Sequence, residues 1–138
     1  MKLIQRLLLA CALLMGATLP ALAGETDPLF INLTTDEPAR AGMGLTFGLH
    51  QHENGHPLTV FLSDKGVLLG ARTHARQYAA QQEMLVALMK KGAVVLVCRS
   101  CLQYQGMAEA DLLPGLQLSN SQLSGGALFR GNTRALSW

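Results

Sequence analysis

Gly92-Ala93-Val94-Val95-Leu96-Val97-Cys98-Arg99-Ser100-Cys101 is the stretch that decides the fold. Ala93 to Val97 is apolar at every position rather than at alternate ones. Such a run marks a strand covered on both faces, as in a parallel sheet with helices above and below it. Gly92 suits the C-terminal cap of a preceding helix. Lys90 and Lys91 suit the negative end of that helix. Beyond the strand, a short helical turn is expected through Leu102 to Gln105.

Upstream, the spacing predicts a helix from about Arg76 to Lys91. Met84, Leu85, Leu88 and Met89 form its apolar stripe, while Gln81, Gln82 and Lys90 lie off it. Leu58 to Ser63 is a second apolar strand, introduced by His56-Pro57. Asp64-Lys65-Gly66 then reads as a turn rather than a site, with an apolar tail in Val67-Leu68-Leu69. Leu29 to Thr34 is a third β-rich run. Thr35-Asp36-Glu37-Pro38 follows it as a helix start, with Thr35 or Asp36 as the cap and Glu37 favouring the positive end. Ala41, Leu45 and Leu49 share one face of that helix, which ends at Gly55. Gly42, Gly44 and Gly48 weaken it intrinsically, which points to close packing against a sheet.

Downstream, Leu116 to Ser119 and Ala135 to Trp138 complete a set of five strands. Between them lies a short helix over Ser121 to Phe129, interrupted at Gly125-Gly126. Strand and helix alternate throughout. Short connections and right-handed crossovers then give a single α/β domain of the flavodoxin-like class: a mostly parallel five-stranded sheet with helices on both faces. In a flavodoxin-like strand order the first and third strands adjoin. Their C-terminal ends form the crevice where such folds place chemistry, so Thr35 and Asp36 should approach Cys98.

Residues 1–23 read differently. Lys2 and Arg6 precede the apolar run Leu7 to Met15, and Ala21-Leu22-Ala23 is a small-x-small cleavage site. That order is the pattern of a secretory signal peptide cleaved after Ala23. The run is shorter than the ~20 residues of a spanning helix. Leu8-Leu9-Ala10-Cys11 offers a competing lipidation site, but the apolar run continues past Cys11. The expectation is a periplasmic protein whose domain occupies residues 24–138, with no stable membrane insertion. Of the 11 Lys and Arg, Lys2 and Arg6 go with the leader, and the remainder balances the 9 acids. A neutral domain without a basic run lacks the electrostatic footprint of nucleic-acid binding.

Of the 3 cysteines, only Cys98 and Cys101 stay in the domain, which excludes a disulfide-dense scaffold. Cys98 closes a buried strand and opens a helix. There, unpaired N–H groups and the helix dipole favour thiolate, and Arg99 adds a cation. Cys101, one turn on, is placed to resolve a persulfide or mixed disulfide on Cys98. The competing reading is a static disulfide or an inert pair. His52 and His56 have i,i+4 spacing and, with the thiols, could form a copper or zinc site. Surface histidines are the plainer reading, for His50 and His74 as well. Met84 and Met89 are core, and Asp36 reads first as a helix cap. No phosphate loop, Ser-His-Asp order or paired-carboxylate motif is present, and no cofactor is called for.

Taken together, these pieces resemble the DsrE/DsrF-like family, which includes TusD-type and YchN-like proteins. The resemblance is carried by Leu29–Thr35 with Asp36-Glu37-Pro38, Gly55-His56-Pro57 to Leu62 with Asp64-Lys65-Gly66-Val67, and Gly92-Ala93 to Cys98. It continues through Gly106-Met107 to Leu112-Leu113-Pro114-Gly115 and the closing Arg134 to Trp138. It implies a compact α/β domain, commonly a homotrimer or homohexamer, exchanging sulfur with donor and acceptor proteins or small sulfur compounds. In relay members, a cysteine at the end of the corresponding strand carries a persulfide, and Cys98 has that place here. One branch carries Cys-Gly-x-Cys-Leu-x-Tyr. Cys98-Arg99-Ser100-Cys101-Leu102-Gln103-Tyr104 matches it, with Arg99 in place of glycine. Relay members work in the cytoplasm, whereas this chain carries an export signal.

Three functions follow as expectations. The first is an exported sulfur carrier or sulfurtransferase-like protein, with Cys98 accepting sulfur, Cys101 assisting, and Arg99, Asp36 and Thr35 in support. The second is a thiol-disulfide redox protein using the same pair. The third is a non-enzymatic oligomeric or metal-binding protein.

Overall fold

A computed structural model describes residues 24–138; residues 1–23, the segment read as a signal peptide, lie outside the described residues. The strands are β1 Leu29–Leu33, β2 Leu58–Leu62, β3 Val94–Val97, β4 Gln117–Leu118 and β5 Arg134–Ser137. The α-helices are α1 Pro38–Glu53, α2 Ala75–Lys90, α3 Arg99–Tyr104 and α4 Ser121–Leu128. All pairings within the five-stranded sheet are parallel. The architecture is the expected single α/β domain of the flavodoxin-like class.

The strand order is β4-β3-β2-β1-β5. This corrects the expectation that the first and third strands adjoin, because β2 lies between them. The reason is visible in the crossovers. α1 and α2 both bury their apolar stripes on the same sheet face, against Ile31, Leu33, Val60, Leu62, Val95 and Val97. Successive right-handed crossovers on one face carry the chain stepwise in one direction. α4 lies on the other face, where its Leu123, Gly126 and Ala127 face Thr59, Val94 and Leu96 across a cavity. Crossing there, it returns the chain to the far side of β1, where β5 joins the sheet.

α1 fits against the sheet because it carries glycine where it approaches closely. A Cβ on Gly48 would stand 2.9 Å from Ile31 Cδ1, and one on Gly44 would stand 2.9 Å from the Trp138 ring. Glu37 caps α1, its carboxylate accepting from the backbone N–H groups of Ala39 at 3.0 Å and Arg40 at 2.7 Å. The expected caps do other work: Thr35 Oγ1 accepts from Glu37 N, and Asp36 turns toward α2.

In α2, Leu85 and Leu88 are buried as the pattern predicts, but Gln81 and Gln82 are buried with them. Each donates its amide to a backbone carbonyl, Gln81 to Pro38 and Gln82 to Ala71. A helical-wheel reading treats both amides as solvent-facing, yet a satisfied amide can enter a core at little net cost. α4 runs unbroken through Gly125 and Gly126, with Asn120 as its N-cap. Among the described residues, no helix is long and apolar enough to cross a membrane.

Candidate thiol site at the C-terminal edge of the sheet

The sheet register aligns Leu33, Leu62, Val97 and Leu118 in one row across four strands. The next residues along are Thr34, Ser63, Cys98 and Ser119. The ladder extends to them: Ser63 N donates to Leu33 O, Cys98 N to Leu62 O at 2.9 Å, and Ser119 N to Val97 O at 2.8 Å. Each of these four strands therefore ends on a hydroxyl or a thiol. The signal was present in the sequence, since every apolar run stops at Thr, Ser or Cys, but it is legible only once the strands are in register.

Cys98 sits where adjacent chain segments part. The chain leaves β3 into α3, whose Leu102 enters the core on the α1 and α2 side. It leaves neighbouring β4 into α4 on the opposite face. Loops departing to opposite faces from adjoining strands define the switch-point crevice of an α/β sheet. Cys98 thus occupies a switch point, with β4 rather than β1 as the relevant neighbour.

Cys98 is the N-cap of α3, and its Sγ accepts the backbone N–H of Cys101 at 3.2 Å. Ser100 Oγ lies 3.4 Å from the same sulfur. Cys98 and Cys101 are joined by a disulfide, with Cα atoms 5.2 Å apart. Both cysteines are partly exposed, resting against the core without being enclosed by it. Arg99 is exposed, and no acid stands in the first turn of α3. Among the described residues the ion pairs are Lys91–Glu53 and Arg134–Asp27, and Arg99 enters neither.

The other sequence-flagged residues are placed elsewhere. Asp36 accepts a 2.9 Å hydrogen bond from the Tyr78 hydroxyl, which also accepts from Gln77 Nε2. Burial, then the Asp36 carboxylate beside it, pushes the Tyr78 phenol up to about 12. Asp36 and Thr35 follow β1 and are separated from Cys98 by β2.

His52 and His56 lie beside the N-terminal end of β2, at the other end of the sheet from the thiols. The ring nitrogens of His52 meet the carbonyls of His56 and Lys91, and His56 Nδ1 meets that of Asp27. A histidine-plus-thiol metal site is therefore not assembled. Among the described residues, no three His, Cys, Asp or Glu side chains cluster as metal ligands would.

Comparison with known proteins gives the same fold. The structure resembles that of the ychN protein from E. coli with a TM-score of 0.66 at 18% identity, covering 82% of this chain and 99% of that one. It resembles protein MTH1491 from Methanobacterium thermoautotrophicum with a TM-score of 0.67 at 14% identity, covering 81% and 99%. In sequence, the chain is 30% identical over 94 residues to the uncharacterized protein MJ0989 of Methanocaldococcus jannaschii, covering 65% of this chain and 82% of the relative. It is also 30% identical over 81 residues to the uncharacterized protein MK0008 of Methanopyrus kandleri, covering 58% and 67%. The model of the DsrE/DsrF-like family matches residues 29–128, so the strand that ends at Cys98 and the helix that follows lie inside the match. The chain belongs to the DsrE/DsrF-like family.

Proposed function

We propose that this protein is an exported sulfur carrier in which Cys98 accepts a sulfane sulfur and Cys101 resolves it. Membership of the DsrE/DsrF-like family fits a sulfur-relay role in general terms. The observation that carries the finer reading is the Cys98 sulfur itself: at a switch point, partly exposed, taking the Cys101 N–H, with Arg99 adjacent. A directed N–H and a nearby cation stabilise thiolate over thiol, and thiolate is the reactive form.

In the loading step, the Cys98 thiolate attacks the outer sulfur of a persulfide or polysulfide. The donor's S–S bond breaks, the donor leaves as a thiolate, and Cys98 holds –S–SH. In delivery, an acceptor thiolate attacks that outer sulfur and Cys98 leaves as thiolate. Alternatively, the Cys101 thiolate attacks the inner sulfur, expels hydrosulfide and forms the Cys98–Cys101 disulfide.

The disulfide also favours a second reading, in which the pair only exchanges electrons with other thiols. Intact mass separates the two. Reduced protein exposed to polysulfide should gain about 32 Da, lost on reduction and absent from Cys98→Ser. Alkylatable thiols that never gain sulfur would leave only the redox reading.

Export and assembly belong to the same proposal. Cleavage after Ala23 places the N-terminus of the envelope form at Gly24, which N-terminal sequencing checks; a cytosolic form retaining Met1 would remove the oxidising setting. A homotrimer or homohexamer is supported by apolar side chains left at the surface, Met43, Phe47, Phe129 and Leu136 among them. Light scattering that gives a monomer at micromolar concentration would contradict it.

A further inference from the structure

The Cys98–Cys101 disulfide is an electrophile already in place at the open edge of the sheet. Attack on it requires a nucleophile and no oxidant. The surroundings restrict which nucleophile fits. Both sulfurs are backed by the core, and Cys98 Sγ is flanked by the Cys101 N–H at 3.2 Å and Ser100 Oγ at 3.4 Å. Both groups stand on Cys98 Sγ, so Cys101 Sγ is the sulfur left to attack. Arg99, with no acid in the first turn of α3, favours an anion.

We propose that the oxidised pair is itself a loading site, and that hydrosulfide is the species it takes. The proposal rests on the reading of Cys98 as a sulfur carrier and adds the route by which sulfur arrives. Hydrosulfide attacks Sγ of Cys101. The disulfide bond breaks, and Cys98 leaves as the thiolate that the Cys101 N–H already faces; a stabilised leaving thiolate leaves faster. Cys101 then carries –S–SH. The incoming sulfur is oxidised as the Cys98 sulfur is reduced, so the step balances within the pair. The Cys98 thiolate next attacks the outer sulfur, the bond to Cys101 breaks, and Cys101 leaves as thiolate. The product is the same Cys98 persulfide that polysulfide forms on the reduced protein. Oxidised protein is thus a competent acceptor of sulfide, whereas the dithiol, which has no S–S bond to break, is not.

The test treats oxidised protein anaerobically with polysulfide-free sodium sulfide, blocks thiols with iodoacetamide and reads the intact mass. A doubly alkylated species carrying one extra sulfur, about 32 Da, is expected. The reduced protein, Cys98→Ser and Cys101→Ser should gain no sulfur from sulfide, because none holds the internal disulfide. Conversion of oxidised protein to the plain dithiol without bound sulfur, or no reaction at all, would overturn sulfide loading. Polysulfide applied to the reduced protein and to Cys101→Ser is the parallel arm. Sulfur gained there but not from sulfide defeats this inference alone; no gain in either arm defeats the carrier reading beneath it.

Discussion

The hydroxyl of Tyr78 donates to the carboxylate of Asp36 at 2.9 Å, joining the start of α2 to the end of β1 across 42 residues of chain. Tyr78 is buried, and the bond consumes the side chain that would otherwise cap α1. It also makes the Tyr78 phenol harder to ionise. Its pKa, pushed up to about 12 by burial and then by Asp36, means the folded state keeps a proton that the unfolded chain loses near 10. The contribution is fully present below about pH 10 and is lost as pH rises toward 12. Tyr78→Phe should destabilise the domain by about 1–2 kcal/mol near neutral pH. It should also flatten the loss of stability between pH 10 and 12. Urea unfolding at pH 7 and across that alkaline range checks both.

Gln82 tests the second unexpected burial. Its amide donates at 2.7 Å to the Ala71 carbonyl, which is itself buried. Gln82→Ala should cost about 1–3 kcal/mol, the usual penalty for an orphaned buried acceptor. Glu83→Ala, at an exposed neighbouring position, should stay within ~0.5 kcal/mol of the parent. Equal effects on urea unfolding would show that the Gln82 bond does not hold the turn after β2.

Gly66 tests the turn itself. A Cβ there would lie 2.1 Å from the Leu33 carbonyl oxygen, backbone that cannot rotate aside. Gly66→Ala should destabilise by ~3 kcal/mol or more, at or beyond the usual overpacking range. Gly44→Ala meets the Trp138 ring instead, a side chain that can shift, and should cost less. Thermal unfolding of the two variants gives the ranking.

These positions also show how far the sequence alone could be read. The three central strands and the two long helices were legible because their apolar periods are strong: Val94–Val97 and Leu58–Leu62 are apolar at nearly every position, and Leu85 with Leu88 marks a face; β4 and β5 are short and largely exposed and carry no such period. Cys98 at a strand end was legible for the same reason. The strand order was not, because pattern gives each strand's burial but not its neighbour; α1 and α2 both choosing one face decides it. Gln81 and Gln82 were misplaced because a polar amide that finds a carbonyl is indistinguishable, in sequence, from one that faces water. Glu37 won the cap from Asp36 because Tyr78, 42 residues away, claims the aspartate. No local signal carries that information.

The central claim is that Cys98 is the nucleophile of the pair and Cys101 its partner. The Cys101 N–H that Cys98 Sγ accepts is a backbone group, so it survives in Cys101→Ser. The measurement is the rate of iodoacetamide alkylation against pH for the reduced Cys101→Ser and Cys98→Ser proteins. The account predicts that Cys98, in Cys101→Ser, reacts faster at pH 7 and reaches half-maximal rate below the ~8.5 of a free cysteine. Faster reaction of Cys101 in Cys98→Ser would reverse the roles, and no alkylation of either cysteine below about pH 9 would contradict thiol chemistry at this site.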